Sequence, residues 1–234
     1  MLVIAEAGIN HLGNLRVAKE MIDIAKIVGA DIFKTQLYDV DSLFPDKKII
    51  SQGKNWYEEV KKTQLTKRQV VGLAEYCQSL GLEFMASAFD LERLSWLGEI
   101  GVRRHKVASR MNQNREYLET VSRTGKEILL SCRLNYLSPC VLPLSTKFLY
   151  CIPQYPAPLT EIHLQDVNFQ HYAGFSDHTV GIDAAMVAIS RGAQIIEKHF
   201  TLDTTLPGPD QICSATPLEL KALVDFARKA EEIL

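Results

Sequence analysis

The sequence lacks long apolar runs, a strong excess of charge of either sign and a leader-like start. No apolar stretch approaches the roughly 18 residues that a membrane-spanning helix needs. The first residues show neither the basic start nor the cleavage site of a signal peptide. The formal net charge of −2 argues against a surface built for nucleic acid or for an anionic membrane. We therefore expect a protein that binds neither nucleic acid nor membrane.

The five cysteines show no spacing typical of a metal cluster. They are odd in number and widely spread along the chain, so we interpret them as reduced thiols of a cytoplasmic protein. The first predicted strand-to-helix turn also lacks the G-x-G-x-x-G loop of a dinucleotide-binding sheet. No internal repeat, low-complexity tract or linker divides the sequence. Residues 1–234 are therefore expected to form a single domain.

Strand-like and helix-like segments alternate from one end of the sequence to the other. The predicted strands are 2–6, 31–36, 82–87, 103–109, 127–131, 147–151, 173–178 and 194–199. The predicted helices are 15–28, 66–80, 90–97, 114–124, 182–191 and 217–234. This alternation predicts an α/β fold, a (β/α)8 TIM barrel, with a doubly wound open sheet as the alternative. Little helical periodicity flanks the sixth strand, so we expect shortened crossovers around strands five to seven.

Two consecutive predicted strands end in histidines, His178 and His199. Side chains alternate between the faces of a strand, so Ser176 shares a face with His178, and Glu197 shares one with His199. Two inward-facing imidazoles on adjacent strands could hold a divalent cation between them. Asp210 follows in a stiff Pro-Gly-Pro-Asp loop and presents a carboxylate. The other four histidines, at positions 11, 105, 163 and 171, are predicted to be loop or surface residues.

Most of the remaining predicted strands end in a cation, a carboxylate, an amide or a hydroxyl. These residues are Glu6, Lys34, Gln36, Ser87, Lys106, Ser109 and Ser131, with Tyr155 close to the end of strand six. Barrel enzymes place their chemistry at the carboxyl ends of the strands. Lysines and hydroxyls converging on one mouth suit an anionic substrate with several oxygens. Taken singly, each has a simpler explanation as a turn or helix cap, or as half of an ion pair such as Lys34 with Glu6.

Five motifs occur in an order that resembles the N-acetylneuraminate (sialic acid) synthase family. They are IAEAGINHLG at 4–13, FKTQ at 33–36, GFSDHT at 174–179, EKHFT at 197–201 and PGPD at 207–210. The resemblance covers nearly the whole chain. It implies a barrel enzyme that condenses phosphoenolpyruvate with an N-acylated hexosamine such as N-acetylmannosamine and releases phosphate. It also implies a divalent metal, usually manganese.

The resemblance assigns roles to individual residues. The metal ligands would be His178 and His199. The catalytic residues would be Glu6, Lys34 and Lys106, with both lysines and Ser87 facing the carboxylate of phosphoenolpyruvate. Its phosphate would be bound by Ser109, Ser131 and Ser176, and the sugar by Gln36, Tyr155 and Asp210.

The sequence departs from the family pattern at several points. The Ser-Thr-Gly-Met turn after strand five is replaced by Ser131-Cys-Arg-Leu134, and Arg110-Met111 follows strand four. Pro153 stands where the family has a phosphate-binding side chain. We expect residues 1–234 to correspond to the family's barrel alone, without its C-terminal antifreeze-like domain. Two alternatives therefore stay open: an aldolase or lyase acting on a 2-keto acid, and a barrel subunit that needs a separate lid chain. A homodimer is a further expectation.

Overall fold

Eight parallel strands close into a barrel in the computed structural model, which describes residues 1–233. The strands are β1 Leu2–Gly8, β2 Ile32–Leu37, β3 Glu83–Ala88, β4 Arg104–Val107, β5 Glu127–Cys132, β6 Thr146–Cys151, β7 Tyr172–Asp177 and β8 Ile195–His199. Each strand pairs with its sequence neighbours, and β8 pairs with β1 to close the ring. The predicted TIM barrel is confirmed.

Eight helices accompany the barrel within the described residues. They are α1 Leu15–Val28, α2 Val40–Leu43, α3 Tyr57–Lys61, α4 Lys67–Ser79, α5 Leu91–Ile100, α6 Arg115–Arg123, α7 Asp183–Ser190 and α8 Pro217–Ile233. All six predicted helices are present. The short helices α2 and α3 were not predicted. They flank a small hairpin, Ile50–Ser51 with Lys54–Asn55, in the long connection between β2 and β3.

Local sequence signals explain where several helices begin and end. The Asn14 side chain accepts a hydrogen bond from the Arg16 amide at the start of α1, and Gly29 ends that helix in the left-handed conformation with φ of 85°. A capping box between Thr66 and Gln69 opens α4. The Glu219 carboxylate accepts from both the amide and the hydroxyl of Thr216 at the start of α8. These helices are therefore delimited by their own sequences.

The crossovers on both sides of β6 contain no α-helix, as predicted. Residues 133–145 between β5 and β6 are irregular, and residues 152–171 contain only two short 3-10 turns, Leu159–Glu161 and Leu164–Asp166. Partly buried apolar side chains of the first crossover pack against the core in place of a helix. These side chains are Leu134, Tyr136, Cys140 and Leu142.

The barrel interior is apolar at one level and polar at the next. A layer of six buried apolar side chains consists of Ile4, Ile32, Met85, Leu129, Leu149 and Ile195. The inward-facing residues two positions further along the same strands are Glu6, Lys34, Ser87, Ser131, Cys151 and Glu197. A packed floor therefore carries a ring of polar groups directly above it, at the carboxyl ends of the strands.

Candidate active site

A cavity of about 780 Å³ opens at the carboxyl ends of the strands. All twelve residues selected from the sequence line this cavity. They are Glu6, Lys34, Gln36, Ser87, Lys106, Ser109, Ser131, Tyr155, Ser176, His178, His199 and Asp210. The connection between β2 and β3 contributes one wall, which includes Leu43, Phe44 and Ile50. The structure therefore brings together groups from residue 6 to residue 210 around one space.

Two buried lysines lie at the base of the cavity. Lys34 Nζ lies 2.9 Å from Glu6 Oε2 and 3.8 Å from Glu197 Oε1, and it donates to the Ser87 hydroxyl at 3.1 Å. Lys106 Nζ lies 3.6 Å from Glu197 Oε2 and donates to the Ser131 hydroxyl at 2.7 Å. Both lysines are 2% exposed. The predicted contact between Lys34 and Glu6 is present.

Burial and charge act in opposite directions on the pKa values of these groups. Burial raises the pKa of Glu6, although Lys34 partly offsets the effect. For Lys34, the neighbouring Glu197 and Glu6 outweigh burial and raise its pKa. For Lys106, burial outweighs the attraction of Glu197 and lowers its pKa. Lys106 has only one carboxylate neighbour, so its positive charge is less well compensated than that of Lys34.

Glu197 is the residue whose importance the sequence-based assignment missed. Its carboxylate lies between the two lysines and accepts a hydrogen bond from the Ser176 hydroxyl at 3.2 Å. Burial would raise its pKa, but Lys106 and Lys34 together lower it below the usual value. The sequence did place Glu197 on the same face of β8 as His199, because the two residues are two positions apart and side chains alternate between the faces of a strand. No sequence pattern indicated that one carboxylate would serve both lysines.

The two histidines are neighbours in the cavity wall, with ring centroids 5.7 Å apart and the rings inclined at 62°. His178 donates from Nδ1 to the Ile152 carbonyl at 2.8 Å, which leaves Nε2 to accept from the Tyr155 hydroxyl at 3.0 Å. His199 Nδ1 is buried without a hydrogen-bond partner and lies 3.9 Å from Asp210 Oδ2. Burial lowers the pKa of His178 to about 4 and that of His199 well below its usual value. Both imidazoles are therefore neutral near pH 7.

This donor pair fits a divalent cation. The two rings are close enough to bind one ion together, and His178 would do so through Nε2 in place of its hydrogen bond from Tyr155. Neutral imidazoles offer their lone pairs, as metal binding requires. No cluster of three or more histidine, cysteine, aspartate or glutamate ligands occurs within residues 1–233. Two protein ligands would leave coordination positions for water and substrate.

Gly8 allows the His199 ring to approach the first strand. It has a φ of 52°, and an added Cβ would lie 3.2 Å from Cε1 of His199. A side chain at position 8 would therefore strain the backbone and push the imidazole from its place. This explains why a glycine ends β1 beside the site.

Gln36, Tyr155 and Asp210 form the outer part of the site. The Gln36 amide donates to Glu6 Oε1 at 3.3 Å, and Tyr155 stacks on His178 while remaining 38% exposed. The Ser214 hydroxyl donates to the Asp210 carbonyl at 2.7 Å and holds the loop in place. Burial raises the pKa of the Asp210 carboxyl to about 7. This end of the cavity therefore presents an amide, a phenol and a weakly acidic carboxyl group.

The structure corrects part of the histidine prediction. His163 and His171 are exposed and His11 lies in the turn after β1, as predicted, but His105 is a residue of strand β4 and only 1% exposed. His105 points away from the barrel axis because the alternate residue, Lys106, points into it. Ser109, which was predicted to end the strand 103–109, lies instead in a 3-10 turn that follows β4.

Two of the residues that depart from the family pattern, Arg110 and Pro153, line the cavity. Arg110 lines the cavity, donates to the Leu43 carbonyl at 3.0 Å and stacks over the Phe44 ring at 4.3 Å. It therefore attaches the β2–β3 connection to the end of β4. Arg133 is exposed and does not line the cavity, so it is not placed to bind a phosphate group there.

Known proteins resemble this chain over nearly all its length. Residues 21–234 match the NeuB family. N,N'-diacetyllegionaminic acid synthase of Legionella pneumophila is 34% identical, over 99% of this chain and 72% of that protein. Human N-acetylneuraminate-9-phosphate synthase is 32% identical, over 99% of this chain and 70% of that protein.

Solved structures agree with the sequence relatives. N-acetylneuraminic acid (sialic acid) synthetase from Leptospira borgpetersenii, solved in complex with citrate, has a TM-score of 0.87 and 31% identity, covering 99% of this chain and 84% of that chain. A truncated 3-deoxy-D-arabino-heptulosonate 7-phosphate synthase from Thermotoga maritima, at 14% identity and a TM-score of 0.69, shares the fold alone. The family match, the extent of the relatives and the barrel together show that the chain belongs to the NeuB family.

Proposed function

We propose that this chain condenses phosphoenolpyruvate with an N-acylated hexosamine such as N-acetylmannosamine, forms a nonulosonic (sialic-acid-type) sugar and releases phosphate. The observation that carries the proposal is the cavity itself. Two buried lysines, several serine hydroxyls and a pair of neutral imidazoles face one space in a NeuB family barrel. We further propose that the enzyme works in the cytoplasm.

The base of the cavity suits phosphoenolpyruvate, which carries a carboxylate and a phosphate. In the proposal, Lys34, Ser87 and Lys106 bind the carboxylate, and the phosphate contacts Ser109, Ser131 and Ser176. An ammonium group gives a strong charge-assisted bond to either anion, and a hydroxyl can donate to the remaining oxygens. Glu197, within 4 Å of both ammonium groups, partly offsets the cost of burying their charges before substrate arrives.

The outer part of the cavity suits the sugar. Gln36, Tyr155 and Asp210 offer donors and acceptors to hydroxyl groups and to an acyl amide. His178 and His199 would hold the divalent cation, manganese in this proposal, which when bound would polarise the aldehyde of the open-chain sugar. In the proposal, phosphoenolpyruvate is bound at the base of the cavity with its C3 carbon towards that aldehyde.

In the proposed reaction, C3 of phosphoenolpyruvate attacks the aldehyde carbon and forms the new carbon–carbon bond. The aldehyde oxygen takes up a proton from solvent, and C2 becomes an electrophilic oxocarbenium centre. Glu6, with its raised pKa, removes a proton from the water that adds to C2. The tetrahedral product then breaks its C2–O bond to phosphate, and the 2-keto acid forms.

Phosphate release from phosphoenolpyruvate, measured with manganese against a panel of N-acylated hexosamines, tests the proposal. We expect release that depends on one or a few of the sugars and on both histidines, with His178→Ala/His199→Ala as the inactive control. No release with any sugar would contradict the proposal. Pyruvate formation from a 2-keto acid without phosphate release would favour the aldolase or lyase alternative instead.

A further inference from the structure

A buried ion pair lies directly behind the two histidines, on the outer face of the same strands. Lys198 Nζ lies 3.1 Å from Asp177 Oδ2, and both side chains are 0% exposed. The residues are register partners on β7 and β8. Each immediately precedes a histidine in the sequence. None of the roles proposed above uses this pair.

Lys198 holds the chain on both sides of His178. Its ammonium group also donates to the Thr179 carbonyl at 2.6 Å, so it contacts the residue before His178 and the residue after it. Asp177 Oδ1 accepts from the Thr179 amide at 2.8 Å and tightens the same turn. The backbone of His178 is thereby attached to the residue next to His199.

This arrangement constrains the distance between the two imidazoles. The His178 ring is fixed by its bond to the Ile152 carbonyl, and the His199 ring packs closely on Gly8. Neither of these contacts connects β7 to β8. The register pairing of the two strands ends at Lys198 with Asp177, one residue before each histidine. His178 lies past the end of β7, so the contacts of Lys198 replace the missing ladder there.

Stability alone does not explain a buried pair of this kind. Removing two charges from water is costly, and an apolar pair of similar volume is often as stable or more stable. An ammonium with two fixed acceptors does define positions, whereas an apolar contact is less directional. We propose that Lys198, through Asp177 and Thr179, is a positioning residue that sets the His178–His199 separation for a divalent cation. The inference rests on the metal site of the proposed function.

Cation binding with Co²⁺ and Mn²⁺, measured by calorimetry and by the visible spectrum of bound Co²⁺, tests the inference without an activity assay. Lys198→Met leaves Asp177 buried and unpaired, so we expect it to lose both stability and cation affinity. Asp177→Asn/Lys198→Met removes the charges but keeps an acceptor for the Thr179 amide. We expect it to recover most of the stability while binding the cation about 10–100-fold more weakly than wild type, with an altered Co²⁺ spectrum.

Two control variants distinguish a failure of this inference from a failure of the proposed metal site. Arg104→Met removes a buried cation from the opposite end of the barrel, and it should lower stability without changing cation affinity. Wild-type affinity and spectrum in the Asp177/Lys198 double variant would overturn the inference, as would an equal loss in Arg104→Met. If His178→Ala/His199→Ala binds the cation like wild type, or if wild type binds none, the proposed metal site itself is wrong.

Discussion

Lys34 and Lys106 are equally buried, yet their surroundings differ in charge. Lys34 is close to two carboxylates, whereas Lys106 has only Glu197 within 4 Å and otherwise contacts the Ser131 hydroxyl and the Val107 carbonyl. Burial accordingly lowers the pKa of Lys106, while that of Lys34 is raised. A bound anion would therefore compensate the buried positive charge of Lys106 to a greater extent than that of Lys34.

Replacing either lysine by methionine should weaken phosphoenolpyruvate binding by about 1.5–3 kcal/mol, the range for hydrogen bonds to charged groups. We expect the larger loss from Lys106→Met because Lys106 has fewer carboxylate neighbours. Calorimetric titration with phosphoenolpyruvate measures the effect. Lys48→Met, at an exposed position outside the cavity, is the matched control and should bind normally. Unchanged affinity in both cavity variants would refute the predicted anion site.

His105 is a second residue whose environment makes a specific prediction, this time about pH. Neither ring nitrogen has a hydrogen-bond partner among the described residues, and burial lowers its pKa from 6.5 to about 4. The unfolded chain therefore takes up a proton below pH 6.5 that the folded chain resists. The stability associated with neutral His105 is complete above pH 6.5 and is lost as the pH falls towards 4.

His105→Leu should be at least as stable as wild type at pH 7.5, since it removes buried polar atoms without partners. Its advantage should grow by about 2.5 kcal/mol between pH 7.5 and pH 4.5, because pH 4.5 lies two units below the unfolded pKa of 6.5 and each unit corresponds to at most 1.36 kcal/mol. Urea unfolding at both pH values measures this. Val107→Ala, on the same face of β4, removes no titrating group. Its loss of free energy of unfolding should therefore be the same at both pH values. An advantage independent of pH would show that His105 does not titrate as described.

The composition of the site could be predicted from the sequence, but its internal contacts could not. Period-two alternation was enough to place Lys34, Ser131 and His199 on the inner face. Which carboxylate lies beside which lysine depends on strand order and stagger, which bring Glu197 between Lys34 and Lys106. Those are properties of the closed barrel and have no signature within a single strand.

At the scale of elements, the first crossover beside β6 shows how an irregular segment replaces a helix. The Tyr136 hydroxyl donates to the Asn112 carbonyl, and the Asn112 amide donates to the Ser131 carbonyl at 3.0 Å. Segment 133–145 is thereby joined to the loop after β4 and to the end of β5. Its prolines and lack of helical periodicity predicted the missing helix. Its packing could not be predicted, because an irregular segment has no repeating pattern of buried positions.

Tyr136→Ala should lower the free energy of unfolding by about 2–3 kcal/mol, because it removes a partly buried aromatic ring and a hydrogen bond. The neighbouring Leu137 is 83% exposed, so Leu137→Ala should change stability by less than about 0.5 kcal/mol. Urea unfolding of the two variants makes the comparison. Equal stability in both would mean that segment 133–145 does not stabilise the barrel as its contacts indicate.

At the scale of the whole molecule, charged groups occupy both ends of the barrel, in different arrangements. At the carboxyl end they face a cavity. At the amino end, Arg104 bridges neighbouring strands with its Nε 2.9 Å from Glu83 and its Nη1 2.9 Å from Glu127, and Lys147 extends the row at 2.5 Å from Glu127. In barrels of this type the carboxyl end carries function and the amino end contributes to stability. No helix within residues 1–233 is long and apolar enough to cross a membrane.

This division predicts opposite outcomes for two cations two residues apart on β4. Arg104→Met leaves two carboxylates facing each other, and since both are partly exposed we expect a loss of about 2–3 kcal/mol in stability, below the full cost of breaking a buried pair. Its affinity for phosphoenolpyruvate should stay at the wild-type level, whereas Lys106→Met should lose affinity. Urea unfolding and calorimetry on the same two proteins measure both quantities. Reduced phosphoenolpyruvate affinity in folded Arg104→Met would show that the two ends of the barrel are coupled, because the arginine lies at the end of β4 opposite the cavity.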